Sequence, residues 1–147
     1  MDANIIHNDV AITHNLALDV PLQTLGFFAF HYVASNIAIR FARPKFMVTE
    51  LYLPLGSTEE ELKTIAKGLG DEARKYSVKI VAGHTGVYKG LSIPIVSSTC
   101  IGKVVRTPRK LSKKDVILIA GEVGKEAIWL KSLEEKLVRL LQMWTGD

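Results

Sequence analysis

The order of hydrophobic periods along the chain predicts an α+β fold, a mixed or antiparallel sheet with helices on one face. Three observations carry this. Stretches with strand-like alternation and stretches with helix-like spacing interleave, each helical stretch is flanked by extended ones, and two extended stretches follow one another with no helix between them. At 147 residues, 48% hydrophobic and 23% charged, the chain matches an ordinary globular composition and can bury a sizeable core without a metal or disulfide.

Asp9 to Asp19 reads as extended, with Val10, Ile12, Leu16 and Leu18 spaced by two or four, and Pro21 ends it. From Leu22 to about Phe41 the spacing turns helical. Leu25, Phe28, Ala29, Tyr32 and Asn36 share a face, with Phe27, His31 and Ala38 beside them, and Pro44 closes the segment. Phe46 to Leu53, rich in aromatic and branched residues, predicts a strand, followed by a turn at Pro54-Leu55-Gly56. Ser57 with Glu60 three residues on predicts a capping box. The stripe Leu62, Ile65, Ala66, Leu69, Ala73 and Tyr76 continues it as an amphipathic helix. Val78 to Val87 and Ile93 to Val105 predict two strands joined through Tyr88-Lys89-Gly90, and Asp115 to Ala120 a further short strand. Past Gly121 and Gly124 a helical tail gathers Ile128, Leu133, Leu137, Leu140, Leu141 and Trp144 mostly on one side. There is no internal repeat and no low-complexity segment.

Composition excludes several classes. A single cysteine, Cys100, rules out an intramolecular disulfide framework and suits a reducing cytosol. No run approaches the length of a membrane span, and Met1-Asp2-Ala3-Asn4 lacks the basic lead of a signal peptide, so a cytoplasmic location is expected. Few amides against many Lys and Glu lean in the direction of heat-adapted, thermophile proteins. The net charge of +4 comes from the last third, where Lys103, Arg106, Arg109, Lys110, Lys113 and Lys114 cluster without an acid. Without an aromatic residue for a base to stack on, this stretch reads first as an exposed connector and second as a phosphate-binding patch, and nucleic acid is not the expected partner.

The candidate chemistry is sparse. Gly83-His84-Thr85-Gly86, at the end of a predicted strand, combines a turn, an imidazole and a hydroxyl, and equally suits a structural turn. Asp9 and Asp19 are the two acids of an otherwise uncharged stretch from Ala3 to Ile39. They could hold Mg²⁺, which takes a few carboxylates plus phosphate and water oxygens, or simply flank turns. Gly121 and Gly124 lack the rest of a P-loop or dinucleotide fingerprint. Cys100, on a strand rich in Val, Ser and Thr, reads as a small core residue. There is no triad motif and no Cys/His cluster for zinc.

Four passages, in order, resemble the N-terminal domain of the AIR synthase-related superfamily. That superfamily includes aminoimidazole ribonucleotide synthase, thiamine-monophosphate kinase, selenophosphate synthetase and the hydrogenase expression/formation protein HypE. Asn8-Asp9-Val10-Ala11-Ile12 is similar to its Asp-Asp-Ala-Ala-Val strand start, with Asp19 in the place of the acid that ends the next strand. The segment from Gly26 through Ser35-Asn36-Ile37-Ala38 to Ala42-Arg43-Pro44 resembles the helix carrying Asn-Asp-Ile/Leu-Ala and ending in Gly-Ala-x-Pro. Leu53-Pro54, the capped helix and Ile80-Val81-Ala82-Gly83-His84-Thr85 resemble the strand, helix and Gly-(Gly)-His/Asp-Thr loop. Lys114-Asp115-Val116-Ile117-Leu118, then Gly121 and Gly124-Lys125-Glu126, resemble the Gly-Asp-x-Ile lead into a second domain.

The resemblance implies an AIR synthase-like N-terminal domain over 1–112 and the start of a second domain over 113–147, ending in a helix. It implies a homodimer closed through the sheet into a barrel-like core. ATP and Mg²⁺ would bind at the positions of Asp9, Asp19, Asn36, Gly83, His84 and Thr85, with Asp9 and Asp19 on the metal. The departures imply a reduced homologue. Asn8, Asn36 and Gly86 stand where the family has acids, and a neutral amide is a poorer ligand for a hard divalent ion. The cysteine segment that HypE's role in hydrogenase maturation requires is not in the sequence. The expected function is a dimer-forming, ATP-binding domain without complete catalysis. The alternatives are an active ATP-dependent phosphoryl-transfer enzyme, or one half of a split HypE-like enzyme whose second domain is a separate chain.

Overall fold

The computed structural model describes residues 3–7, 9–107, 109–133 and 135. Its contacts divide the chain into two units, Met1–Arg109 and Lys110–Asp147. The first unit is α+β. Its elements are β1 (Ala3–Ile6), β2 (Val10–Ala17), α1 (Leu22–Ala38), β3 (Ala42–Pro54), α2 (Glu59–Lys75), β4 (Lys79–Tyr88) and β5 (Ile95–Val104). They form one five-stranded mixed sheet in the order β1-β2-β5-β3-β4, in which β3 and β4 are parallel and all other neighbours antiparallel.

Strand alternation gives the sheet two unlike faces. One carries Ala11, Met47, Val96 and Cys100, all fully buried against α1, whose Val33 and Ile37 are equally buried. Gly102 belongs to this face for a steric reason: a Cβ there would collide with the Ile37 side chain and come within 2.9 Å of the Arg43 carbonyl oxygen. α2 lies mainly on α1 and buries Ile65, Leu69 and Ala73, one residue per turn. α1 is thus covered by the sheet on one side and by α2 on the other. This is why Phe30, Val33 and Ile37 are buried along with Leu25, Phe28 and Ala29 of the expected stripe, while Phe27 stays 42% exposed.

Several local expectations are corrected. β1 was not foreseen; four residues are too few for a periodic signal, and β1 is held by pairing with β2 and by Arg40, whose Nε donates to the Ala3 carbonyl at 3.0 Å. Pro44 does not close the helix but lies inside β3, in a stretch that β4 does not reach and beside a bulge at Lys45, where a missing N–H is tolerated. The capping box is Thr58 with Glu61, one residue later than Ser57 and Glu60. β4 and β5 follow one another in the chain but do not pair; β3 lies between them. Gly83-His84-Thr85-Gly86 is no turn but the middle of β4.

In the second unit, Asp115 to Ala120 forms no strand. Val116, Ile117, Leu118 and Ile119 are 75–93% exposed, and a strand sequence without a neighbouring strand has no partner for its backbone. Residues 125–133 are helical. Leu137, Leu140, Leu141 and Trp144 of the expected tail lie outside the described residues. Among the described residues no helix is long and apolar enough to cross a membrane.

Candidate functional site

No described element of the first unit covers the second face of the sheet. Register defines its rows. His84 of β4 lies beside Glu50 of β3, then Ser97 of β5 and Leu16 of β2; one row over, Ala82, Val48, Thr99 and His14 align. Polar and aromatic side chains meet at the β3–β4 end. His84 Nε2 and Tyr88 Oη are 3.1 Å apart, the Tyr88 ring lies across Gly86 and 5.5 Å from the Tyr52 ring, and the Tyr52 hydroxyl donates to the Glu50 carboxylate. That hydrogen bond, reinforced by burial and by the Glu50 charge, raises the Tyr52 phenol above its ordinary value. Further across, His14 Nδ1 and Thr99 Oγ1 are 2.9 Å apart. The other end of the face is apolar, with Ile6, Val10, Ile12, Phe46 and Ile101.

The glycines of this region have steric roles. A Cβ at Gly83 would run into the Thr49 carbonyl, so the parallel β3–β4 contact beside the register shift at Met47/Val48 depends on its absence. A Cβ at Gly86 would enter the space of the Tyr88 ring, so glycine there lets the tyrosine fold back to His84.

The six residues marked by the sequence do not converge within one chain. Asp9 precedes β2, exposed, with its backbone carbonyl accepting from the Val104 amide. It lines a cleft of about 320 Å³ with Lys45, Phe46 and Lys103. Asp19 follows β2 at the opposite end, in left-handed backbone with φ of 55°. Eight strand residues separate the two carboxylates by on the order of 25 Å. The two acids flank a single strand, as the extended reading of Asp9 to Asp19 expects. Asn36 is half-buried on α1. Alternation along β4 puts Gly83 and Thr85 on the helix side and the His84 side chain, which reaches Tyr88, on the open side; all three residues line a hollow of about 390 Å³ with Thr49 and Ile80.

This bears directly on Mg²⁺. Asp9 and Asp19 of one chain cannot share an ion whose oxygen ligands lie about 2.1 Å from it. Among the described residues no three His, Cys, Asp or Glu side chains are grouped as a metal site would require. The donor set among the described residues of a single chain therefore does not fit a protein-enclosed magnesium site. Glu50, Tyr52, Tyr88 and the His14–Thr99 pair were missed in the sequence. The signal was the alternation Val48, Glu50, Tyr52, which places an acid and a phenol together on the face turned away from the core.

The sheet order, the βαβ unit over β3–α2–β4 and the open face define a domain type, and comparison with known proteins identifies it. Residues 2–104 match the model of the AIR synthase related protein, N-terminal domain, and the chain belongs to that family. It is 29% identical over 118 residues to thiamine-monophosphate kinase of Bacillus subtilis (strain 168), covering 78% of this chain and 36% of that protein. It is 28% identical over 123 residues to carbamoyl dehydratase HypE of Bradyrhizobium diazoefficiens, covering 80% and 36%. The chain thus spans about a third of the length of the curated relatives it matches. Among solved structures it resembles a HypE-HypF complex, with a TM-score of 0.66 and 25% identity over 71% of this chain and 36% of that one. It also shares the fold of hydrogenase maturation protein HypE in complex with ATP, with a TM-score of 0.63 and 22% identity over 70% and 32%.

Proposed function

We propose that this chain is an AIR synthase-like N-terminal domain that pairs with a second copy through its open sheet face, retains contacts to a nucleotide and does not complete catalysis alone. The observation that carries the reading is the open face. At its apolar end Ile6 and Phe46 are each 43% exposed beside Ile12 and Ile101, and an exposed apolar patch of this kind marks an interaction surface. A second copy laid face to face would bury the Ile6, Ile12, Phe46 and Ile101 end and close the two sheets into a barrel-like core.

The nucleotide part rests on likeness to HypE, one structure of which holds ATP. The cleft beside Asp9 adds Lys45 and Lys103 as cations for phosphate. Mg²⁺ carried by ATP needs only one or two protein carboxylates, so Asp9 is the proposed contact. Asp19, Asn36, Gly83, His84 and Thr85 are further positions marked by the family's motifs. Catalysis is proposed to be incomplete because Asn8, Asn36 and Gly86 remove charges that phosphoryl transfer uses to hold metal against phosphate. A split enzyme is the second reading. It is favoured by the exposed, unpaired Val116–Ile119 segment, which a separate chain carrying the second domain would take up as a strand.

Light scattering coupled to size exclusion tests the pairing. A dimer that Phe46→Asp converts to monomer supports it, and a wild-type monomer at high concentration overturns it. Calorimetry with Mg-ATP tests the nucleotide. Micromolar binding weakened by Asp9→Ala or Asp19→Ala supports the reading, and no heat at millimolar ATP overturns it. A genomic neighbour encoding the remaining domain that co-purifies with this chain would favour the split enzyme over the reduced homologue.

A further inference from the structure

The two edges of the sheet are unequal. β1 is four residues long, short enough to offer little to another chain. β4 is ten residues long, pairs with β3 on one side only, and is exposed at every residue but Gly86. Val81 is the extra residue at the register shift near its start. From Ala82 to Tyr88 the pairing with β3 is regular, and the outer N–H and C=O groups of that stretch have no strand beside them among the described residues. Lys79 and Lys89 stand at the two ends, and between them no lysine, arginine, acid or proline guards the edge. The helix side of β4 is open as well, because α2 packs mainly on α1. Ile80 and Val87 are exposed there, and the hollow of about 390 Å³ along the strand lies over the buried Thr49 and Leu51.

The second unit carries the complementary defect. Val116, Ile117, Leu118 and Ile119 are 75–93% exposed, and Val116, Ile117 and Ile119 are β-branched strand formers with no strand beside them among the described residues. In extended form this segment is apolar on both sides, the pattern of a strand covered on both faces. β4 lacks an outer neighbour, and this segment lacks a sheet.

We propose that Val116–Ile119 of one copy adds as a sixth strand to the outer edge of β4 on a second copy, and that the exchange is reciprocal. Alternate side chains of the segment would then enter the hollow over Thr49 and Leu51, and the others would lie on the open face beside His84 and Tyr88. Main-chain hydrogen bonds supply the affinity, and the hollow selects branched apolar side chains. A second copy is the occupant for two reasons. Within one copy the segment is exposed, so its own chain does not cover it, and a two-fold exchange leaves neither copy with a bare edge or an unpaired strand. Pairing β4 with β4 is disfavoured, because running the strand against its own copy brings Lys79 beside Lys89 at both ends. The contact rests on neither reading of the function, since it uses an edge of the sheet and needs no separate second domain.

Hydrogen exchange read by mass spectrometry on the purified full chain, at about 10 μM and about 1 mM, tests this. Amides of 82–88 and of 116–119 are expected to gain protection together, by about tenfold or more at the higher concentration. N–H groups alternate in direction along a strand, so one of Ile117→Pro and Leu118→Pro must delete a donor aimed at β4. At least one of the two should remove both gains, and both positions are too exposed for the fold to depend on them. Phe46→Asp, which disrupts face-to-face pairing, should leave both gains in place. Gains lost in Phe46→Asp but kept in both proline variants belong to the face pairing and overturn the exchange. Protection of 116–119 that does not change with concentration overturns it as pairing within one chain. Protection of 82–88 alone overturns it as β4 meeting β4, and no gain in either segment overturns it outright.

Discussion

Gly26 of α1 and Ile65 of α2 meet backbone to backbone: a Cβ placed on Gly26 would fall inside the Ile65 carbonyl oxygen and 2.5 Å from the Leu69 nitrogen. Both obstacles are main-chain atoms of a regular helix, so neither can rotate away. Gly68 faces the same crossing with its own Cβ position in ordinary contact, 3.6 Å from the Gly26 Cα. Gly26→Ala should therefore force the helices apart and destabilise the domain by about 2 kcal/mol or more, whereas Gly68→Ala should be tolerated. Urea denaturation of the two variants checks this, and equal midpoints would contradict the crossing.

The start of α2 allows a finer distinction. The Thr58 hydroxyl accepts from the Glu61 amide at 3.2 Å while the Glu61 carboxylate accepts from the Thr58 amide at 2.7 Å. Thr58→Ala should cost about 1 kcal/mol by exposing unpaired amide groups, and Ser57→Ala should cost a few tenths at most. Thermal melts decide between the two frames; the reverse ranking would return the cap to Ser57 and Glu60.

That one-residue shift shows how far local pattern carries. Thr58 and Ser57 are both good caps and both are followed three residues later by Glu, so spacing alone does not choose between them. Either frame leaves Ile65 and Leu69 on the same helix face, so the stripe does not choose either, and the chain's path out of the turn after β3 does. The same holds for β4 and β5. Their alternation was legible, but their separation by β3 is a long-range decision, fixed when β3–α2–β4 forms a parallel unit and β5 then takes the other side of β3. The site suffered most. Asp9 and Asp19 are conspicuous in an uncharged stretch, yet residues ten apart around a single strand stand at its opposite ends. Glu50, Tyr52, His84 and Tyr88 come together only through the β3–β4 register, which no single segment encodes.

The C-terminus of α2 ends in a hydrogen-bond pattern that favours glycine. The Val78 amide donates to the Ala73 carbonyl at 2.8 Å and the Ser77 amide to the Arg74 carbonyl at 3.1 Å, with Ser77 at a φ of 56°. A serine Cβ is strained there, so Ser77→Gly should stabilise the domain by about 1 kcal/mol. A calorimetric melting temperature below that of the wild type would show that the serine hydroxyl makes a compensating interaction.

Cys100 sits fully buried at the centre of the sheet, opposite Thr13 on β2 and Met47 on β3. Burial pushes its thiol up to about 12 from an ordinary 9.0, so at neutral pH it is neither nucleophile nor metal ligand. Reaction with a disulfide reagent at pH 8 should be slower than in denatured chain by on the order of a thousandfold or more, from the thiolate fraction alone. Linkage gives the pH dependence its sign. The folded state favours the protonated thiol, so this contribution to stability is complete below about pH 9 and is lost as the pH rises toward 12. Urea midpoints at pH 7 and pH 10.5 should fall further in wild type than in Cys100→Ala, which has no thiol to ionise on unfolding. An equal fall in both proteins would assign the alkaline loss to other groups, and rapid native-state labelling would mean that the centre of the sheet opens far more readily than its packing allows.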